Sequence, residues 1–136
     1  MAVLITGGAG YIGAHTAVEL LQNNEDIVIV DNFVNSKPEV LNTIRQITGR
    51  DFPFYEADLL DRDAIDRIFS ENEIDTVIHF AGLKAVGESV QKPLAYYHNN
   101  ITGTLVLCEC MQAHNVKRMV FSSSATVYGS PQYVPI

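Results

Sequence analysis

The sequence predicts an α/β fold in which a parallel sheet is wound by helices on both faces. Three observations carry that prediction. Short β-branched apolar runs, Val3-Leu4-Ile5, Ile27-Val28-Ile29-Val30 and Thr76-Val77-Ile78, alternate with stretches whose apolar residues recur at helical spacing. The first run passes through Thr6 into a glycine-rich turn, Gly7-Gly8-Ala9-Gly10-Tyr11-Ile12-Gly13, and straight into a helical pattern. The second run ends on an acid, Asp31, 18 residues beyond Gly13.

The first strand is read at Ala2-Val3-Leu4-Ile5, and its glycines fit two registers. Gly8, Gly10 and Gly13 give G-x-G-x-x-G, while Gly7, Gly10 and Gly13 give G-x-x-G-x-x-G. Either suits a pyrophosphate, which needs backbone amides facing it with no Cβ between, and which the positive end of the next helix favours. That helix has Ala17, Val18, Leu20 and Leu21 on its apolar face and ends in Gln22-Asn23-Asn24.

The second strand is apolar throughout, as a parallel strand covered on both faces should be. At its end, Asp31 can accept hydrogen bonds from an adenosine ribose, which favours NAD over NADP because a 2'-phosphate would meet a like charge. Lys37 nearby is the opposing signal, and a loop-capping aspartate is the plainer alternative. A second helix is read over residues 36–49, with Val40, Leu41, Ile44 and Ile47 on one side and Gly49 as its stop. Residues 52–57 form a third strand. Asp58 after it is placed to bond a purine edge, or serves only the turn. The next helix starts around Asp61 and buries Ile65, Ile68 and Phe69.

Residues 75–80 form a fourth strand that runs into Ala81-Gly82-Leu83-Lys84, where small residues let a ribose and nicotinamide lie against the backbone. Lys84 can balance a dinucleotide's charge, or be a solvated loop lysine. His79, inside an apolar strand, reads as a core histidine with its hydrogen bonds met. Residues 86–91 are read as a short turn, and Pro93 opens a long helix to about His114. Leu94, Tyr97, Ile101, Leu105, Cys108 and Met111 form one apolar stripe on it, read partly as core and partly as a face a second subunit could share. Ala95, Asn99, Gly103 and Val106 form a second line of small and polar residues, in which Gly103 implies close packing and Asn99 faces the sheet. Residues 117–124 give a fifth strand followed by the serine cluster Ser122-Ser123-Ser124, with a turn at Ser130-Pro131.

Right-handed crossovers then give the strand order 3-2-1-4-5, a Rossmann-type doubly wound sheet incomplete at its carboxyl-terminal side. That order gathers the glycine turn, residues 80–84 and the serine cluster at neighbouring strand ends, where such sheets bind ligands. The 136 residues make one dinucleotide-binding domain, residues 1–136. A net charge of -7 with nine scattered Lys and Arg excludes a nucleic-acid surface. No apolar run approaches membrane-spanning length and no leader precedes the first strand, so a cytoplasmic location is expected. Cys108 and Cys110, two apart on a helix, point to different faces, so no metal is expected and they are read as buried reduced thiols; the sequon Asn100-Ile101-Thr102 is read as silent.

Residues 6–13, Asp31, Asp58, Phe80-Ala81-Gly82, Asn99 and the serine cluster resemble the extended short-chain dehydrogenase/reductase superfamily. Residues 79–111 and 122–129 are similar in particular to its nucleotide-sugar 4-epimerases. Related dehydratases carry an acidic pair where this chain has Ala125 and Thr126. The resemblance implies interconversion of UDP-glucose and UDP-galactose through a 4-keto sugar, a step of galactose metabolism, with bound NAD and a UDP-sugar as partners. It implies that Ser124 bonds the reacting oxygen. For NAD it implies Gly7, Gly10, Tyr11, Ile12, Gly13, Asp31, Asn32, Phe33, Asn35, Ser36, Asp58, Leu59, Phe80, Ala81, Gly82, Lys84, Asn99 and Ser122. It also implies a homodimer through the helix opened by Pro93. The superfamily's catalytic Tyr-x-x-x-Lys does not occur in these residues, so the chain by itself is expected to be an inactive amino-terminal part with the sugar-binding domain lying beyond. A related sugar-nucleotide enzyme and a non-catalytic NAD-binding module are the alternatives.

Overall fold

The computed structural model describes residues 1–130, 132 and 133. Strands β1 (Ala2–Thr6), β2 (Asp26–Asp31), β3 (Phe54–Glu56), β4 (Ile74–His79) and β5 (Arg118–Phe121) form one sheet in the order β3-β2-β1-β4-β5, every pair parallel. The expected order is the observed one. Register sets Thr6 beside Val30 and His79, and His79 beside Phe121, so the strands end on one line and their loops leave from one edge.

Helices α1 (Tyr11–Gln22) and α2 (Glu39–Thr48) cover one face of the sheet, and α3 (Arg62–Glu71) and α6 (Gly103–Ala113) the other. Successive residues of the central strands serve opposite layers. Ile5, Ile27 and Ile29 pack with Ala17, Leu21, Leu41 and Ile44, while Leu4, Val28, Val30 and Val77 pack with Ile65, Ile68, Leu107 and Met111. That two-sided burial is why the strand runs are apolar throughout. Asp61 caps α3 as expected, its carboxylate accepting from the Ala64 amide at 3.1 Å.

Several boundaries depart from the sequence reading. The second helix begins at Glu39 rather than Ser36, because Ser36 is drawn back to Asp31, and Ile47 faces solvent. β3 keeps only three of the six residues assigned to it, as Pro53 cannot donate to a ladder and Phe52 turns into the core. Residues 86–91 are a short helix, α4 (Val86–Gln91), tied by the Lys92–Glu88 pair and by Tyr96 Oη donating to Glu88 at 2.9 Å. The long helix is three pieces: α5 (Pro93–Tyr97), a π-turn (His98–Thr102) and α6.

The largest correction concerns the stripe on that helix. Leu94, Tyr97, Ile101, Leu105 and Cys108 face solvent, and only Met111 is buried. The helix packs inward through Gly103, Leu107 and Cys110; of the second line only Gly103 is fully buried, Asn99 and Val106 are half-buried and Ala95 faces solvent. A Cβ on Gly103 would lie 3.3 Å from the Leu59 Cβ, so glycine is what lets the helix come this close. Cys108 is therefore exposed, against the expectation of burial, while Cys110 is buried, and both are free thiols. Among the described residues, no helix is long and apolar enough to cross a membrane. Pro131, part of the turn read from the sequence, lies outside the described residues.

Candidate dinucleotide site

The glycine turn is set by backbone contacts that leave no room for side chains. Gly7 has φ +68°, and a Cβ there would lie 2.8 Å from the Ala81 nitrogen. A Cβ on Gly13 would lie 2.4 Å from the Gly7 oxygen. Gly8 is turned away and packs on Ile29, so the register that faces the cleft is Gly7, Gly10 and Gly13. Gly10 caps α1 with no side-chain hydrogen bond, and the helix has no acid in its first turn. Its leading amides, on Tyr11 and Ile12, are thus left for an anion.

Asp31, 8% exposed at the end of β2, ties two loops together. Its Oδ2 accepts from the Ala9 amide at 3.0 Å, and its Oδ1 from the Phe33 amide at 2.9 Å and the Ser36 hydroxyl at 2.8 Å. The loop-capping and ligand-binding readings are therefore compatible in one residue. Asp58 accepts from Asn32 Nδ2 at 3.0 Å and from the Leu60 amide at 2.9 Å.

These residues line three adjoining spaces. A cleft of about 430 Å³ lies between Gly7, Gly10, Tyr11, Ile12 and Gly13 on one side, Asp31, Asn35 and Ser36 at one end, and Phe80, Ala81, Gly82 and Lys84 opposite. A recess of about 60 Å³ beside it is lined by Asn32, Asp58, Leu59 and Asn99. Past Ala81, Gly82 and Lys84, a second cleft of about 390 Å³ reaches Ser122 and Ser124. Phe33 does not join them. Its backbone is left-handed at φ +55° and its ring packs on Phe54 at 5.2 Å, so only its amide serves the site, through Asp31. The Ser124 hydroxyl caps the short 3-10 turn Ala125–Tyr128, accepting from the Thr126 amide at 3.2 Å.

Two further residues shape the site. Asn100 accepts from the Leu83 amide at 2.8 Å and donates to the Leu83 oxygen at 2.9 Å, acting on residues 80–84 as a strand partner would. The sequence reading named its neighbour Asn99, which lines the recess, and nothing in the Asn-Asn pair marked Asn100 as the residue that binds Leu83. His79 is 2% exposed, with one ring nitrogen 2.6 Å from Thr6 Oγ1 and the other 2.9 Å from Thr104 Oγ1. Burial, then the positive charge of Lys84, pushes its pKa down to about 4. It is a neutral core histidine, as read.

A crevice at the reversal of strand order, with uncapped helix amides at its centre and an acid at one end, fits a dinucleotide. A profile of the NAD dependent epimerase/dehydratase family matches residues 3–136. The chain belongs to this family. A member from Bacillus subtilis (strain 168), UDP-glucose 4-epimerase, is 65% identical over 136 residues, 100% of this chain and 40% of that protein. The crystal structure of UDP-glucose 4-epimerase from Bifidobacterium longum, in complex with NAD+ and UDP, superposes with a TM-score of 0.97 at 55% identity, covering 100% of this chain and 41% of that one. The UDP-Glc/GlcNAc 4-epimerase from Campylobacter jejuni superposes at 0.90 with 37% identity, covering 97% and 40%. The chain thus spans about 40% of the length of the curated relatives it matches.

Proposed function

We propose that this chain is the NAD-holding part of a UDP-glucose 4-epimerase, which interconverts UDP-glucose and UDP-galactose. The observation that carries the reading is the cleft itself: glycine backbone and uncapped α1 amides in the middle, Asp31 at one end, and Ser122 and Ser124 at the other. In this reading the Tyr11 and Ile12 amides hold the pyrophosphate, Asp31 and Ser36 the adenosine ribose, and Asp58 and Asn99 the adenine side. Phe80, Ala81 and Gly82 flank the nicotinamide ribose, and Lys84 offsets negative charge. Bound NAD supplies a reversible hydride acceptor, which lets the sugar carbon invert with no net oxidation. Ser124 holds the reacting oxygen; its hydroxyl is exposed and faces the second cleft. The proton-accepting Tyr-x-x-x-Lys pair has no counterpart in these 136 residues, so no residue here takes the base role.

The test is a calorimetric titration of the chain with NAD and NADP, beside an assay with UDP-glucose. NAD is expected to bind at least about tenfold more tightly than NADP, from the like charge of Asp31 against a 2'-phosphate, and the isolated chain to turn over no UDP-glucose. Equal affinity for the two cofactors would remove the reading of Asp31, and turnover would remove that of the missing base.

The exposed stripe Leu94, Tyr97, Ile101 and Leu105 supports a homodimer in which two such helices pack. Leu105→Glu places a charge in that face and is expected to leave a monomer by sedimentation; an unchanged oligomeric state would remove the dimer face from this helix. Two free thiols, one of them exposed, suit the reducing cytoplasm.

A further inference from the structure

The hydrogen bonds around His79 fix more than its burial. Thr104 Oγ1 lies 2.7 Å from the Asn100 oxygen, and a carbonyl has no proton to give, so the Thr104 hydroxyl donates there. Its oxygen can then only accept from His79, which puts the ring proton on Nε2. Nδ1 of a neutral ring is left as an acceptor and takes the Thr6 proton at 2.6 Å. The Thr6 oxygen in turn has a lone pair for the Ala81 amide at 3.4 Å. Every donor in the line has one direction, running from Ala81 through Thr6, His79 and Thr104 to the backbone of Asn100. The Asn100 side chain then closes on Leu83. Both ends of the line grip residues 80–84, the segment that faces the glycine turn.

We propose that His79 is a positioning residue for the dinucleotide: as the Nε2–H tautomer it orients the hydroxyls of Thr6 and Thr104 and so holds the 81–83 backbone at the cleft wall. This deepens the proposed function and rests on it for the ligand. Several features fit the role. The ring is inaccessible and touches no cleft surface, so it acts through its neighbours. β4 ends at His79, whose own oxygen accepts from the Ser122 amide at 3.1 Å, so the same residue also anchors the start of the serine loop. The π-turn His98–Thr102 carries Asn100 opposite Leu83, and such irregular turns are kept where they place a side chain.

The test separates hydroxyl from bulk, using the whole protein. Thr104→Val keeps the shape and removes the hydroxyl; Thr104→Ser keeps the hydroxyl and removes a methyl group. NAD affinity is expected to fall about tenfold in Thr104→Val, the order expected for a buried N–H left without its partner, and to return to within about twofold in Thr104→Ser. A residue that mattered only for packing would give the opposite ranking, and that result would overturn the proposal. Nitrogen NMR of the unsubstituted protein gives a second reading that needs no variant. His79 Nδ1 should be the unprotonated nitrogen and Nε2 the protonated one, and the reverse tautomer would equally overturn it. Should the protein bind no NAD, the proposed function fails alone. The positioning role is then decided by amide exchange without ligand, in which Ala81 and Leu83 should be protected in the parent and in Thr104→Ser but not in Thr104→Val.

Discussion

Gly13→Ala is expected to destabilise the fold by about 3 kcal/mol or more and to reduce NAD affinity at least about tenfold, the largest effect of any single methyl group in the chain. The added Cβ would lie 2.4 Å from the Gly7 oxygen and 2.8 Å from the Gly8 Cα. Both are backbone atoms, so no side-chain rotation relieves the contact. Either the turn opens or α1 moves off it, and each displaces the leading α1 amides from the anion position. Gly7→Ala should behave similarly for two reasons, a left-handed φ of +68° and a contact of 2.8 Å with the Ala81 nitrogen. Gly87→Ala is the control: nothing lies within 4 Å of its Cβ, so stability should hold or rise slightly. Denaturant midpoints and NAD titrations of the three variants check the ranking. A Gly13→Ala protein that melts with the parent would mean the turn is slack and the cleft not preorganised.

The parts of this site that were legible in the sequence are those written in neighbouring residues. β1, the glycine turn and α1 form one continuous segment, and the two-sided burial of β2 shows as an unbroken run of apolar residues ending on Asp31. Strand order followed from handedness once the alternation was seen, and it brought the glycine turn, residues 80–84 and the serines to one edge. What was not legible depends on partners far apart in the chain. His79 and Thr6 are 73 residues apart, and Asn100 and Leu83 17 apart, so no local pattern marks either contact. The helix after Pro93 shows a different limit. Periodicity finds the apolar stripe, but it does not say whether that stripe or the small, polar line beside it meets the sheet. Here the narrower face wins because Gly103 admits Leu59, and the wider face is left outside.

Asp31→Ala tests whether one carboxylate can hold both the cofactor and the loops around it. The sequence reading assigns Asp31 to the ribose, from which a cofactor switch would follow: remove the charge and NADP should be admitted. The structure predicts a different outcome. Three donors already converge on this carboxylate, from Ala9 in the glycine turn and from Phe33 and Ser36 in the loop after β2. Alanine leaves those amides with no acceptor in a place that is almost closed to water, and each such loss costs about 1–3 kcal/mol. It also frees Phe33 from the contact that holds it at φ +55°, an unfavourable conformation for a bulky residue that relaxes once released. The expected result is a loss of about 3 kcal/mol in stability, with affinity for NAD and NADP both falling at least about tenfold. Asparagine should rescue only part of this, because whichever way its amide is turned, its NH2 group meets a donor, either the Ala9 amide or the Phe33 amide. Calorimetry with both cofactors and denaturant melts of Asp31→Ala and Asp31→Asn read the two effects separately. A stable Asp31→Ala protein that binds NADP as tightly as the parent binds NAD would mean that the carboxylate selects the ribose and nothing more. The predicted joint loss would instead make Asp31 the tie between the two loops that form the cleft, and would explain why the acid is buried rather than left free at its rim.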